Sequence, residues 1–216
     1  MTSILEFIKN LTQPLNIAHR GGMALYPENT LTGFHASVHK YKVDMLEMDL
    51  QLTRDEKVIV LHDDSLDRTT NGKGEVSRLS YEEISQFDGG FRFKNDKGEF
   101  SFRDQGIKVP LFEDILKEFP QNFLNIELKG NNLKLIQKAT DLINKYNAEN
   151  RILIGATNFI QNKRIQQILS ECGHYLSQPD IYLFGVFGSC GFGRKYWKKF
   201  NVAEVPLHYH RLHVYP

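Results

Sequence analysis

Residues 111–172, LFEDILKEFPQNFLNIELKGNNLKLIQKATDLINKYNAENRILIGATNFIQNKRIQQILSEC, switch back and forth between two hydrophobic periods. Leu111 to Phe119, Leu133 to Tyr146 and Phe159 to Cys172 repeat apolar residues at helical steps. Phe123 to Leu128 and Arg151 to Ala156 are short apolar runs of strand length. Strands alternating with helices predict βαβ units around a parallel sheet. Connections of this length suit a doubly wound sheet or a (β/α)8 barrel.

Upstream of this stretch, Ser3 to Leu11 reads as a helix, Pro14 breaks it, and Leu15 to His19 reads as a strand running into Gly21 and Gly22. Asn29 and Thr30 are good capping residues before Leu31, Phe34, Val38 and Tyr41, which recur at helical spacing. Met45 to Leu52 and Lys57 to Leu61 read as two more strands. Asn71-Gly72 marks a turn, and Asp88 to Lys108 is rich in Gly, Phe and charge without a sustained period. A small insertion with little regular structure is therefore expected around residues 70–110. Beyond Gly173 the only strand candidates are Tyr175 to Ser177 and Val202 to Val205.

The chain has 216 residues, 41% of them hydrophobic, so a single folded domain over 1–216 is expected. Lys and Arg total 27 against 26 Asp and Glu, a formal charge of +1, which gives no field to hold a nucleic acid. Cys172 and Cys190 lack zinc-site spacing, and their scarcity favours a reducing, cytoplasmic location. The first nine residues lack the basic start and cleavage site of a signal peptide. The glycine-interrupted run from Ile181 to Phe192 falls short of the roughly 18 residues of a membrane span. An amphipathic first helix leaves room for a weak membrane contact. Oligomeric state is not legible.

Glu47 and Asp49 lie two apart in Met45-Leu46-Glu47-Met48-Asp49-Leu50 and so share one face of a strand. Carboxylates on a buried strand face need partners, and hard oxygens side by side suit Mg²⁺ or Ca²⁺. A parallel crossover needs a dozen or more residues, and too few separate Leu52 from Val58, so this connection must be a hairpin. A turn near Arg54-Asp55 sets His62 opposite Glu47 or Met48 and returns an imidazole, suited to proton transfer near neutral pH, to the carboxylates. His19-Arg20-Gly21-Gly22 follows the first strand, at the strand ends where such folds assemble their sites. Arg20 offers a fork of donors for phosphate. Glu127 and Lys129 repeat the spacing of two at the end of another strand, supplying a third oxygen ligand and a cation, or simply pairing with each other.

Other features have plainer readings. His35 and His39 sit one helical turn apart on a helix that must cover the sheet, and read as a solvated face. His208, His210 and His213 have no accompanying carboxylates. Arg194, Lys195, Lys198 and Lys199 interleave with Tyr196, Trp197 and Phe200 and read as solvated surface.

His19-Arg20-Gly21, Pro27-Glu28-Asn29-Thr30, Glu47-x-Asp49, His62-Asp63, Arg68-Thr69-Thr70 and Glu127-x-Lys129, in this order, resemble the glycerophosphodiester phosphodiesterase family. The match is strong from Leu15 to Lys129 and weaker beyond. The resemblance implies an α/β fold, an irregular (β/α)8 TIM-like barrel with an inserted subdomain. It also implies one divalent cation, Mg²⁺ or Ca²⁺, on Glu47, Asp49 and Glu127, and His19 and His62 as the acid/base pair, either histidine filling either role. Arg20 and Lys129 would bind the substrate phosphate. Barrels of this family continue past the position of Pro216 through two more strands, so a barrel incomplete at its C-terminus is expected. The function implied is metal-dependent hydrolysis of a small-molecule glycerophosphodiester to glycerol 3-phosphate and an alcohol. The rivals are a lysophospholipase D acting on an acylated diester and a truncated, non-catalytic paralogue.

Overall fold

The computed structural model describes residues 3–177, 179–181, 202, 208–209 and 212–213. A six-stranded sheet organises it: β1 (Ile17–Ala18), β2 (Met45–Leu52), β3 (Val58–Val60), β4 (Phe123–Leu128), β5 (Ile152–Gly155) and β6 (Gly173–His174). The order β1-β2-β4-β5-β6 is parallel throughout, and β3 folds back antiparallel on β2. Helices α1 (Ile4–Lys9), α2 (Leu31–His39), α3 (Tyr81–Ile84), α4 (Phe112–Glu118), α5 (Leu133–Lys145) and α6 (Phe159–Ile168) complete an α/β fold. Pairing of β2 with β3 follows Leu50↔Val60 and Leu52↔Val58, so the hairpin has the expected register and brings His62 back alongside β2.

Local chemistry sets the helix starts. Thr30, Asn132 and Asn158 each accept a hydrogen bond from the first turn of α2, α5 and α6, which removes donors that would otherwise be stranded. Three helices end sooner than periodicity predicts. The first stops at Lys9, α2 stops at His39 short of Tyr41, and α6 stops at Ile168 because Leu169 leaves helical space (φ −109°, ψ 49°) and a turn through Cys172 feeds β6. The last described strand of the sheet is Gly173–His174, not Tyr175 to Ser177. Tyr175 makes a single parallel bridge to Val202, and the Ser177 hydroxyl donates to Asp180 Oδ2 at 2.6 Å, turning the chain away. Residues 203–205 of the other strand candidate lie outside the described residues, as do the basic segment 194–200 and His210. His208 and His213 are described only as backbone of a short antiparallel pair, β7 (His208–Tyr209) with β8 (Leu212–His213).

The two faces of the sheet differ. Leu46, Met48, Leu50, Leu124, Ile126 and Leu128 point into the main core with Phe34, Phe112, Phe119, Leu135 and Ile136 from the helices. Each such fully buried side chain contributes about 1.5–3 kcal/mol. On the opposite face Met45, Phe123, Leu153 and Tyr175 pack under Ile4, Leu5 and Ile8 of α1, which plugs the N-terminal end of the strands. Alternation then places Glu47, Asp49, Asn125 and Glu127 on that second face, toward the C-terminal ends that α1 leaves uncovered. Leu61 and Leu66 join Ile59, Val76, Ile84 and Val109 in a second small core beside the main one. Among the described residues, β1 has no strand partner besides β2.

Candidate active site

Parallel register sets Glu47 beside Asn125 and Asp49 beside Glu127. Asp49 is 1% exposed, and a carboxylate so deep survives only with partners. Lys129 Nζ lies 2.9 Å from Asp49 Oδ1 and 2.7 Å from Glu127 Oε2. Asn29 Nδ2 donates to Asp49 Oδ2 at 2.9 Å. Burial opposes the charge on Lys129, but Asp49 and Glu127 outweigh it and hold the ammonium above its ordinary pKa.

The loop after β1 is bent sharply to meet these groups. Arg20, Gly21 and Gly22 all take left-handed backbone angles (φ 48°, 71° and 86°). A Cβ on Gly21 would sit 2.9 Å from the Phe34 ring, so that turn requires glycine twice over. The bend aims the Arg20 main-chain N–H at Glu47 Oε2, 2.6 Å away, and leaves His19 Nε2 at 3.8 Å from the same oxygen. Burial and Arg20 lower the pKa of His19, while Asp49 and Glu28 oppose them. The Arg20 guanidinium reaches Glu28 Oε1 at 3.1 Å and Asp49 Oδ2 at 3.5 Å. Asn29 is also left-handed (φ 55°), a conformation that its hydrogen bond to Asp49 helps hold.

On the loop after β3, His62 Nδ1 is 2.7 Å from Asp63 Oδ1. Arg68 grips both Asp63 and Glu28. Its hydrogen bond holds the Asp63 carboxyl at a pKa of about 2, against the opposing effect of burial and with help from His62. Burial would raise Glu28, but Arg68 and Arg20 bring it below its ordinary value.

Of the seven residues singled out from the sequence, His19 and Arg20 follow β1, Glu47 and Asp49 lie within β2, Glu127 and Lys129 stand at the end of β4, and His62 is on the loop after β3. Arg20 and Lys129 are engaged with carboxylates in this arrangement. Glu28, Asn29, Asp63 and Arg68 belong to the same cluster, and pattern reading did not single them out as site residues. His35 instead packs on Phe119 and lies 3.7 Å from Glu118. The donor chemistry fits a hard divalent cation, with three carboxylates on neighbouring strands. Among the described residues no three His, Cys, Asp or Glu converge as a ready ligand group, and Lys129 supplies the positive charge between Asp49 and Glu127.

The model of the glycerophosphoryl diester phosphodiesterase family matches residues 19–174. A glycerophosphodiester phosphodiesterase of Bacillus altitudinis is 31% identical over 77% of this chain and 69% of its own. A lysophospholipase D of Homo sapiens is 34% identical over 77% of this chain and 49% of its own. The chain thus spans about half the length of that relative. The fold resembles the glycerophosphoryl diester phosphodiesterase domain of a Mycobacterium tuberculosis protein (TM-score 0.75, 19% identity, 83% of this chain and 66% of that one). It also resembles an Oleispira antarctica phosphodiesterase in complex with the product sn-glycerol-3-phosphate (TM-score 0.66, 25% identity, 75% and 65% covered). On the extent of the family match and the agreement in fold, the chain belongs to the glycerophosphoryl diester phosphodiesterase family.

Proposed function

We propose that this chain hydrolyses a glycerol-based phosphodiester to glycerol 3-phosphate and an alcohol. The observation that supports the reading is the contact of His19 and Arg20, on the loop after β1, and of Lys129, after β4, with Glu47 and Asp49 of β2 and Glu127 of β4, with His62 on the loop after β3. The family is generally divalent-metal dependent. In this chain Glu47, Asp49 and Glu127 would hold one Mg²⁺ or Ca²⁺, which would supply positive charge against the substrate phosphate and favour ionisation of the nucleophile. Arg20 and Lys129 orient the phosphate and stabilise charge on its non-bridging oxygens. His19 and His62 carry the two proton transfers, one from the entering oxygen and one to the leaving oxygen. Asp63 accepts from His62 Nδ1 and so leaves Nε2 free to act. Among the described residues the cysteine, Cys172, is free and buried, which supports a reading of the chain as cytoplasmic. Among the described residues no helix is long and apolar enough to cross a membrane.

A second reading, hydrolysis of a diester that keeps one acyl chain, is favoured by one feature. An apolar groove of about 360 Å³ runs from His19 past Met23, Leu25, Tyr26 and Tyr41 to Val43. Product analysis by ³¹P NMR with glycerophosphocholine and lysophosphatidylcholine tests both. The primary reading expects glycerol 3-phosphate and choline from the first, with the acylated substrate slower. Faster turnover of the acylated diester selects the second, and release of phosphocholine contradicts both.

A further inference from the structure

We propose that Arg68 is the positioning residue that registers the two histidine-bearing loops against each other, acting through Asp63 on His62 and through Glu28 on Arg20. The proposal rests on the reading of His62 as a proton-transfer group. His19 and Arg20 follow β1, while His62 and Asp63 follow β3. The two loops leave different strands, and their relative placement must be fixed to within fractions of an ångström for two proton transfers at one phosphorus centre.

Arg68 makes that link directly. Its Nε donates to Asp63 Oδ2 at 2.6 Å and its Nη2 to Asp63 Oδ1 at 3.1 Å. Nη1 donates to Glu28 Oε2 at 2.7 Å and Nη2 to Glu28 Oε1 at 2.8 Å. One planar guanidinium therefore bridges two carboxylates, each held by two hydrogen bonds, one of them 5 and the other 40 residues away in sequence. Each carboxylate passes the restraint on. Asp63 Oδ1 also meets His62 Nδ1, and Glu28 Oε1 also accepts from Arg20 Nη1. A continuous chain of contacts runs His62–Asp63–Arg68–Glu28–Arg20.

An isolated exposed ion pair contributes little to stability, and the Arg68 side chain is 46% exposed. This case departs from the isolated pair in two respects. Glu28 is only 9% exposed, so losing Arg68 leaves its buried carboxylate dependent on Arg20. The two-carboxylate fork is also a geometry that only guanidinium provides, which makes the contact an orienting one.

The test measures kcat and KM for glycerophosphocholine in Arg68→Ala, Arg68→Lys, Asp63→Asn and the Arg68→Ala/Asp63→Asn double variant. It adds a thermal melt for each and the ¹⁵N signals of the His62 ring, identified by comparison with His62→Ala. Positioning predicts that Arg68→Ala lowers kcat by up to about a hundredfold while remaining folded. Arg68→Lys should not restore the rate, because an ammonium is a point charge. The double variant should be no slower than the worse single, and the His62 ring signals should shift in Arg68→Ala. Losses that multiply in the double variant would overturn the proposal. So would a raised KM at unchanged kcat, which marks a substrate contact, or His62 signals identical to wild type. A wild-type chain that hydrolyses nothing would defeat the proposed function, and the ring signals would still decide the role of Arg68.

Discussion

Asp49 and Glu127 are direct register partners across the parallel pair β2 and β4, and the Lys129 ammonium lies within 2.9 Å of one and 2.7 Å of the other. Two adjacent carboxylates are tolerable only with positive charge between them. Lys129→Met removes it and should cost about 3 kcal/mol of stability, the usual penalty for breaking a buried pair. Added Ca²⁺ should then raise the melting temperature of the variant more than that of the wild type. A stability change within about 0.5 kcal/mol, the range of an ordinary surface substitution, would show that the ammonium is not the counter-charge.

His19→Ala and His62→Ala should each lower kcat by at least about a hundredfold with little change in melting temperature, the effect of removing a general acid or base. His35→Ala, whose ring packs on Phe119 away from the site, should leave kcat unchanged. An activated aryl leaving group needs no protonation, so rates measured with such a diester should largely recover in one of the two variants and identify the acid. Near wild-type turnover by His62→Ala on glycerophosphocholine would remove the hairpin loop from the mechanism.

Acid should destabilise the protein through identifiable pairs. Asp63 is held at about 2 against an ordinary 3.8, chiefly by Arg68, and Glu113 at about 2 against an ordinary 4.5, chiefly by Lys145. A lowered carboxyl pKa contributes stability that is present above the unfolded value and disappears as pH falls through the folded one. Stability should therefore decline between pH 4 and pH 2, with Asp63 accounting for about 1 kcal/mol after solvent screening. Denaturant titrations across that window should show a shallower decline in Arg68→Ala. An equal decline in both proteins would mean that the Asp63–Arg68 pair does not form in solution.

Much of this arrangement was legible before the fold was known. Spacings of two at Glu47/Asp49 and Glu127/Lys129 encode a shared strand face, and the short link between Leu52 and Val58 forces a hairpin, so the register of Glu47 and Asp49 beside β4 and the return of the chain toward His62 follow from period and topology. Missing from that reading were Glu28, Asn29, Asp63 and Arg68. All four lie inside the motifs that mark the family resemblance, but their significance comes from pairing across the fold, such as Arg68 with Glu28. No local periodicity reports such a pair. The second small core was hidden from a local reading for a related reason. Leu61 and Leu66 look like loop apolars until Val76, Ile84 and Val109 close a second core around them. The end of α6 was misplaced because a backbone turn at Leu169, without a glycine or proline there, stops the helix.

The central claim is that Glu47, Asp49 and Glu127 serve a divalent cation in phosphodiester hydrolysis. It is tested most directly by following glycerol 3-phosphate release from glycerophosphocholine by the purified chain after exhaustive chelation, then after adding back Mg²⁺ or Ca²⁺, beside Asp49→Asn. The account predicts no turnover in the chelated sample, recovery with the added cation, and no recovery in Asp49→Asn. Full turnover by the chelated wild type, or recovery of Asp49→Asn to wild-type rates, would contradict it.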